Sequence, residues 1–292
     1  MNKYKKLLIL SGKGGTGKTT VACAFINLAQ AKAYADCDVD APNLHLVCKQ
    51  SQDSTNTDYY GLQKAHIDPE KCTGCGLCTK YCRFDAIYSK ENKYFVDPFS
   101  CEGCSVCEFV CPASAIFMKD SITGEMMLYS RPSLFSTACL KMGSGNSGKL
   151  VSAVKKQLYD NLDKGCEIVV IDGSPGIGCP VIASISGVDM VLIVAEPSVS
   201  GISDMERIID TSNRFGVLIA VCVNKYDTNI PNTLKIEKYC HNNNIPFIGK
   251  IPYDKMAVYA TNRGISIVSM DCASGEAVKN IYTKTLEIIN KA

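Results

Sequence analysis

Four cysteines at Cys72, Cys75, Cys78 and Cys82 recur as Cys101, Cys104, Cys107 and Cys111, a displacement of 29 positions that also relates Gly74 to Gly103, Ala86 to Ala115 and Ile87 to Ile116. Such a repeat indicates an internal duplication, in which each half offers its thiols on a tight loop followed by a short helical turn and packs face to face with the other. Three thiolates spaced two residues apart can hold three corners of a [4Fe-4S] cube while the fourth crosses to a second cube. That rule assigns Cys72, Cys75, Cys78 and Cys111 to one cluster, and Cys101, Cys104, Cys107 and Cys82 to the other. Gly74, Gly76 and Gly103 leave room for backbone amides beside the sulfurs. Two structural zinc sites would also use four thiolates each, but zinc motifs pair CxxC units rather than run three in series.

A second constellation lies near the amino terminus. In "LLILSGKGGTGKTTVACAFINLA" an apolar strand precedes Gly12 and an apolar-periodic helix follows from about Thr19, with Gly12, Gly17, Lys18 and Thr19 satisfying GxxxxGK[ST]. Backbone amides of Gly12, Gly14, Gly15, Thr16, Gly17 and Thr20 can cradle phosphate, Lys18 can reach the β- and γ-phosphates, and Thr19 can ligate Mg²⁺. "EIVVIDGSPGIG" is a buried strand ending in Asp172, which suits support of the same ion through water, with Gly173 to Gly176 as a switch loop. "SGNSGK", Ser144 to Lys149, imitates a phosphate loop but lacks the strand, so it is read as the start of a helix.

These residues need a scaffold. "MVLIVAEPS", "GVLIAVCVNKYD" and "FIGKIPYD" each present a strand and then a loop, with helical patterns between them, which predicts an α/β, doubly wound, mostly parallel sheet with its ligand at the strand carboxyl ends. The carboxy-terminal helix has core-packing spacing at Val278, Ile281, Tyr282, Leu286 and Ile289. A chain of 292 residues with 46% hydrophobic content can bury such a core and carry a small extra domain. Its 31 basic and 29 acidic residues are scattered, with no basic block for nucleic acid or anionic lipid. The start imitates a secretory signal, but the apolar stretch is only Leu7 to Leu10, and no run approaches the ~20 residues of a membrane span. The expected location is the cytoplasm. The 17 cysteines then point to metal ligation rather than disulfides.

The cysteine-rich stretch resembles a bacterial two-cluster ferredoxin over residues 64–120, including "CEGCSVCEFVCPASAI" with its Pro112. It departs at Arg83, which stands where the pattern has proline. Arg83 restores a backbone donor and brings a positive charge near the cluster held by Cys82, which predicts the higher potential for that cluster; a solvated arginine without redox effect is the alternative. The loop "KGGTGKT" resembles the deviant Walker A motif of MinD/ParA-like ATPases, a family that includes the nitrogenase iron protein and the Mrp/ApbC-type iron-sulfur carrier ATPases. The resemblance implies slow ATP hydrolysis in a homodimer that closes on ATP, with Lys13 reaching the partner's nucleotide. "ADCDVDAPNLHL" resembles the family's switch I, which implies that Asp38 orients the attacking water and Asp36 lies near Mg²⁺; Asp40 is read as a cap for the next turn. Asn224 would read adenine and Pro252 would pack near the base.

The domain organisation expected is an ATPase of residues 1–60 and 127–292, interrupted by a small α+β ferredoxin-like domain at 61–126. The implied cofactors are two [4Fe-4S] clusters, ATP/ADP and Mg²⁺. The leading expectation is a nucleotide-driven dimer that gates electron transfer to a partner metalloprotein. A rival is ATP-dependent metallocluster assembly or carriage, for which Cys179 is the best ligand; a ParA-like positioning ATPase lacks the basic or amphipathic surface it needs. Cys179, Cys37 and Cys139 are otherwise read as ordinary thiols, and His45, His66 and His241 show no ligand spacing.

Overall fold

A strand buried on both faces has an unbroken apolar sequence, and Leu7, Leu8, Ile9 and Leu10 of β1 (Lys5–Leu10) are all fully buried. The computed structural model describes residues 4–48, 53–163 and 165–291 and builds a nine-stranded sheet around this strand; residues 1–3 of the signal-like start lie outside the described residues. From β1 the chain passes through α1 (Lys18–Leu28), β2 (Ala33–Asp36), the short α2 (Leu44–Val47) and β3 (Ser54–Tyr60). It then leaves the sheet for β4 (Lys64–Ile67), α3 (Leu77–Tyr81), β5 (Ile87–Lys90), β6 (Lys93–Val96), α4 (Val106–Phe109) and β7 (Ile116–Lys119). It returns as β8 (Ile122–Tyr129) and β9 (Leu134–Leu140). Regular alternation follows: α5 (Ser147–Asp160), β10 (Ile168–Asp172), α6 (Cys179–Ile185), β11 (Met190–Ala195), α7 (Val199–Arg214), β12 (Leu218–Asn224), α8 (Ile230–Asn242), β13 (Phe247–Ile251), α9 (Lys255–Asn262) and α10 (Ala273–Lys291).

The strand order is β13-β12-β11-β1-β10-β2-β9-β8-β3, parallel from β13 to β9 and antiparallel at β8 and β3. Alternate side chains of β1 serve opposite cores. Leu7 and Ile9 pack with Phe25 of α1 and Ile281 of α10. Leu8 and Leu10 pack with Leu150, Val181, Ile208 and Ile236 from α5 to α8. Each such buried side chain contributes about 1.5–3 kcal/mol through removal from water. Helices on both faces of a largely parallel sheet are the α/β architecture that the sequence predicts.

The edge of the sheet is where the structure departs from the sequence reading. β8 begins at Ile122, so the division drawn at residue 126 falls inside a strand of the large sheet. β9 carries no clean apolar alternation: Ser136 and Thr137 are buried on opposite faces beside Phe135 and Ala138, and Ser136 Oγ donates to the Val154 carbonyl at 2.9 Å and lies 2.8 Å from Gln157 Oε1. β3, "STNTDYY", is a mostly exposed strand whose pairing with β8 supplies the order that its composition does not.

Between these edge strands, the cysteine repeat folds as a structural repeat. β4, α3 and β5 recur as β6, α4 and β7 at the same offset, and the halves interlock through the ladders β4–β7 and β5–β6. Equivalent bonds join them: the Asp68 N–H donates to the Ala115 carbonyl at 2.8 Å and the Asp97 N–H to the Ala86 carbonyl at 2.7 Å.

Candidate functional site

The first parallel crossover places the phosphate loop at the carboxyl end of β1, beside the position where the strand order reverses between β11 and β10. Gly15 and Gly17 take φ of +77° and +92°, and a side chain on Gly17 would collide with the Asn224 amide. That amide donates to the Thr16 carbonyl at 2.7 Å, so it buttresses the loop. No side chain caps α1 at Gly17, which leaves the first-turn N–H groups and the positive end of the helix facing the cavity above.

Lys13, Gly14, Gly15, Thr16, Gly17, Lys18, Thr19, Thr20 and Asp38 line one cavity of about 680 Å³. Asn224 and Pro252 line an adjoining cavity of about 240 Å³, together with Ile251, Ala257, Val258 and Ile267, and the two share Gly15, Gly17, Thr20, Thr261 and Asn262. The pair forms a continuous groove, polar at the glycine loop and apolar at the far end. Gly12 lies behind the loop, where it permits close approach of Asp204.

Beneath the loop, Lys18 Nζ lies 2.5 Å from Asp172 Oδ1, and both are buried. Burial works against the Lys18 ammonium, yet the charge and hydrogen bond of Asp172, joined by Asp36 and Asp38, hold its pKa above the ordinary lysine value. Asp172 Oδ2 and Thr16 Oγ1 are buried without a hydrogen-bond partner, an arrangement suited to the water shell of a cation and to phosphate. Asp36, the carboxylate expected beside Mg²⁺, accepts the N–H groups of Asp38 at 3.0 Å and of Asn43 and Leu44 at 2.9 Å. It thereby shapes the segment that carries Asp38. Burial, reinforced by the Asp172 charge, pushes Asp36 up to about 7. Burial also raises Asp38, against the pull of Lys18.

Glu196, just past the end of β11, was not singled out from the sequence. Its carboxylate lies 2.5 Å from Lys13 Nζ and 3.8 Å from Lys225 Nζ, and Lys225 Nζ also donates to the Gly15 carbonyl at 2.9 Å. The signal available was its place at a strand carboxyl end, in "VAEPS", level with the phosphate loop.

The eight repeat cysteines divide between two cavities. Cys72, Cys75, Cys78 and Cys111 line one cavity, and Cys82, Cys101, Cys104 and Cys107 line the other. Both are walled by apolar residues, among them Ile67, Ile116 and Ala115 around the first and Ile87, Val96 and Met118 around the second. All eight are free thiols, and among the described residues no group of His, Cys, Asp or Glu converges as it would around a single metal ion. Positive φ at Gly74, Gly76, Gly103 and Ser105 turns each loop back around its cavity. Arg83 is exposed beside Cys82. Of the remaining thiols, Cys37 is fully buried and Cys139 and Cys179 are exposed.

Comparison with known proteins fits this geometry. A family model of the CobQ/CobB/MinD/ParA nucleotide binding domain matches residues 7–267. An uncharacterised protein of Methanocaldococcus jannaschii is 32% identical over 290 residues, covering 97% of each chain. An iron-sulfur cluster carrier protein of the same organism is 23% identical over 305 aligned positions, 98% of this chain and 86% of its own. Among solved structures, the septum site-determining protein MinD of Pyrococcus horikoshii, complexed with Mg-ADP, matches with a TM-score of 0.60 at 17% identity, covering 98% of this chain and 97% of that one. At that identity the likeness speaks for the fold alone. Among the described residues no helix is long and apolar enough to cross a membrane. The loop, the paired Lys18 and Asp172 and the matched span together place the chain in the CobQ/CobB/MinD/ParA family of nucleotide-binding P-loop ATPases.

Proposed function

We propose that the chain is a nucleotide-driven switch whose ATPase cycle controls electron transfer from two [4Fe-4S] clusters to a partner metalloprotein. The observation that carries this reading is the pair of four-thiol cavities, each completed by a cysteine from the opposite repeat, on a module spliced into a nucleotide-binding sheet. The donor chemistry fits: four thiolates in an apolar pocket match a cluster's ligand demand. When bound, such clusters supply one-electron redox chemistry at low potential.

In the nucleotide groove, the amides of Gly14 to Thr19 bind the phosphates, and Lys18 stabilises charge on the γ-phosphoryl oxygens. Thr19 Oγ1 and, through water, Asp172 would hold Mg²⁺, which neutralises charge on the β- and γ-phosphates when present. Asp38 accepts a hydrogen bond from the attacking water and aims it at phosphorus; the bond to the β-phosphate oxygen breaks and ADP leaves. Lys13 completes the site of a second copy of the chain once released from Glu196. Asn224 and Pro252 position the base in the smaller cavity.

A second reading, ATP-dependent carriage of a metallocluster, is favoured by relatives that are named iron-sulfur cluster carrier proteins. Anaerobic redox titration of the iron-loaded protein, followed by EPR with and without MgATP and with a Lys18→Ala control, separates them. A cluster signal or potential that shifts with ATP, and not in the control, supports gating. Clusters that move to an apo acceptor when ATP is added support carriage instead.

A further inference from the structure

The two thiol cavities are not equivalent in their relation to the sheet. Around the first loop, the space beside Gly74 and Gly76 is closed by Asn92 and Tyr94, both within the module itself. Around the second, the equivalent contact is Gly103 against the Gln63 carbonyl, 29 positions before Asn92, but here Gln63 and its neighbour Leu62 also form the connection arriving from β3. The same loop meets the β9–α5 connection: a methyl group on Gly145 would lie 3.0 Å from Glu102 Oε2, and one on Gly143 would lie 3.4 Å from the Phe99 ring. Glu102 lies between two of the cysteines that line the second cavity.

The β9–α5 connection is itself tied to both nucleotide-sensing segments. At its start, the Leu140 N–H donates to the Val39 carbonyl at 2.8 Å, one residue past Asp38. At its end, a methyl group on Gly148 would lie 3.1 Å from the carbonyl oxygen of Cys179, the first residue of α6 after the Gly173–Gly176 loop. Lys155 locks the two helices together: its buried ammonium donates to the carbonyls of Ala183, Ser184 and Ser186 at 2.9, 2.7 and 2.6 Å, at the end of α6. Gly148 meets the Cys179 backbone with no side chain between them, and Gly145 meets the tip of the Glu102 side chain, so a displacement of either segment is passed toward that carboxylate.

We propose that nucleotide state is transmitted through residues 141–148 to the Cys101, Cys104, Cys107 and Cys82 set alone, with Glu102 as the positioning residue that receives it. The Cys72, Cys75, Cys78 and Cys111 set is the distal one, shielded from the nucleotide and free to exchange electrons outward. This rests on the reading above that nucleotide binds and that the thiol sets carry clusters; it adds which set responds and by what contact. Spatial continuity alone does not establish coupling, so the test perturbs the contact.

Hydrogen exchange read by mass spectrometry on the full, iron-loaded chain under anaerobic conditions, with and without MgATP, measures each loop separately. The expected result is a change in exchange at 12–20, 141–148 and 99–104, with 72–78 unaltered. Gly145→Ala and Glu102→Ala abolish the change at 99–104 while the phosphate loop still responds and iron content is kept. An equal response at 72–78, silence at 99–104 beside a responding phosphate loop, or a wild-type response in both variants overturns the proposal. A silent phosphate loop overturns nucleotide binding and the coupling with it. Absence of iron overturns the cluster reading, while the exchange pattern still decides the route.

Discussion

Lys18 and Asp172 form a buried ion pair, 2.5 Å between Nζ and Oδ1, with side-chain exposures of 6% and 0%. Removing the cation leaves a buried carboxylate without its partner. Lys18→Ala is expected to cost about 3–5 kcal/mol of stability, and pairing it with Asp172→Asn to recover most of that loss. Nucleotide binding is lost in both variants. Denaturant unfolding together with calorimetric titration of ATP checks this, and a stability unchanged in the single variant would count against the pair.

Glu196 holds two lysines at the rim of the phosphate cavity. Its carboxylate competes with phosphate for Lys13 and Lys225 and repels the incoming anion. Lys13 is partly exposed, so the pair is worth little in a screened environment. Glu196→Gln is expected to tighten ATP binding about two- to five-fold at low salt, with the gain fading as ionic strength rises. Affinities measured at two salt concentrations test it; unchanged affinity at low salt would show that the contact does not oppose nucleotide.

Burial raises Asp36 to about 7 from an ordinary 3.8. Between those values the native state binds the proton that the unfolded chain has released, so this group's contribution is fully present at the acidic end and declines as pH rises. The stability of the wild type relative to Asp36→Asn is expected to fall between about pH 4 and pH 7 and to level off above. Parallel unfolding curves at several pH values, at equal iron loading, measure the difference; a flat difference would mean that Asp36 is ionised throughout.

The thiol cavities predict which cysteines share a cluster. Cys111→Ser is expected to disturb the same cluster as Cys75→Ser, and Cys82→Ser the same one as Cys104→Ser, each losing about half of the iron. Iron counting and EPR of the four variants decide it. If Cys111→Ser matched Cys104→Ser instead, each cluster would be held within one repeat.

Much of the site was legible because its chemistry is local in sequence. The glycine loop, Lys18 and Thr19 lie within one turn of each other, and the strand that must precede them is an unbroken apolar run. The repeat was likewise legible: a fixed displacement carries both thiols and secondary structure, so β4, α3 and β5 predict β6, α4 and β7. The crossing of Cys82 and Cys111 is expected from the spacing rule for two-cluster modules, and the two cavities divide the cysteines in the same way.

Other features depended on elements distant in the chain. β9 joins the sheet with Ser136 and Thr137 buried, because α5 supplies an acceptor for Ser136; no apolar alternation announces it. Glu196 meets Lys13 only because β11 lies next to β1 in the sheet, although some 180 residues separate the two groups. Asp36 is placed near Mg²⁺ only by the resemblance of its segment to switch I, and its three backbone donors come from a loop whose path the sequence does not state. The sequence by itself determined the nucleotide loop, the parallel α/β scaffold and the two thiol sets, since each rests on neighbouring residues or a strict repeat. Only the tertiary structure decided that the second thiol set packs against the β9–α5 connection, because Glu102 meets Gly145, and Phe99 meets Gly143, through chain folding that local spacing does not encode.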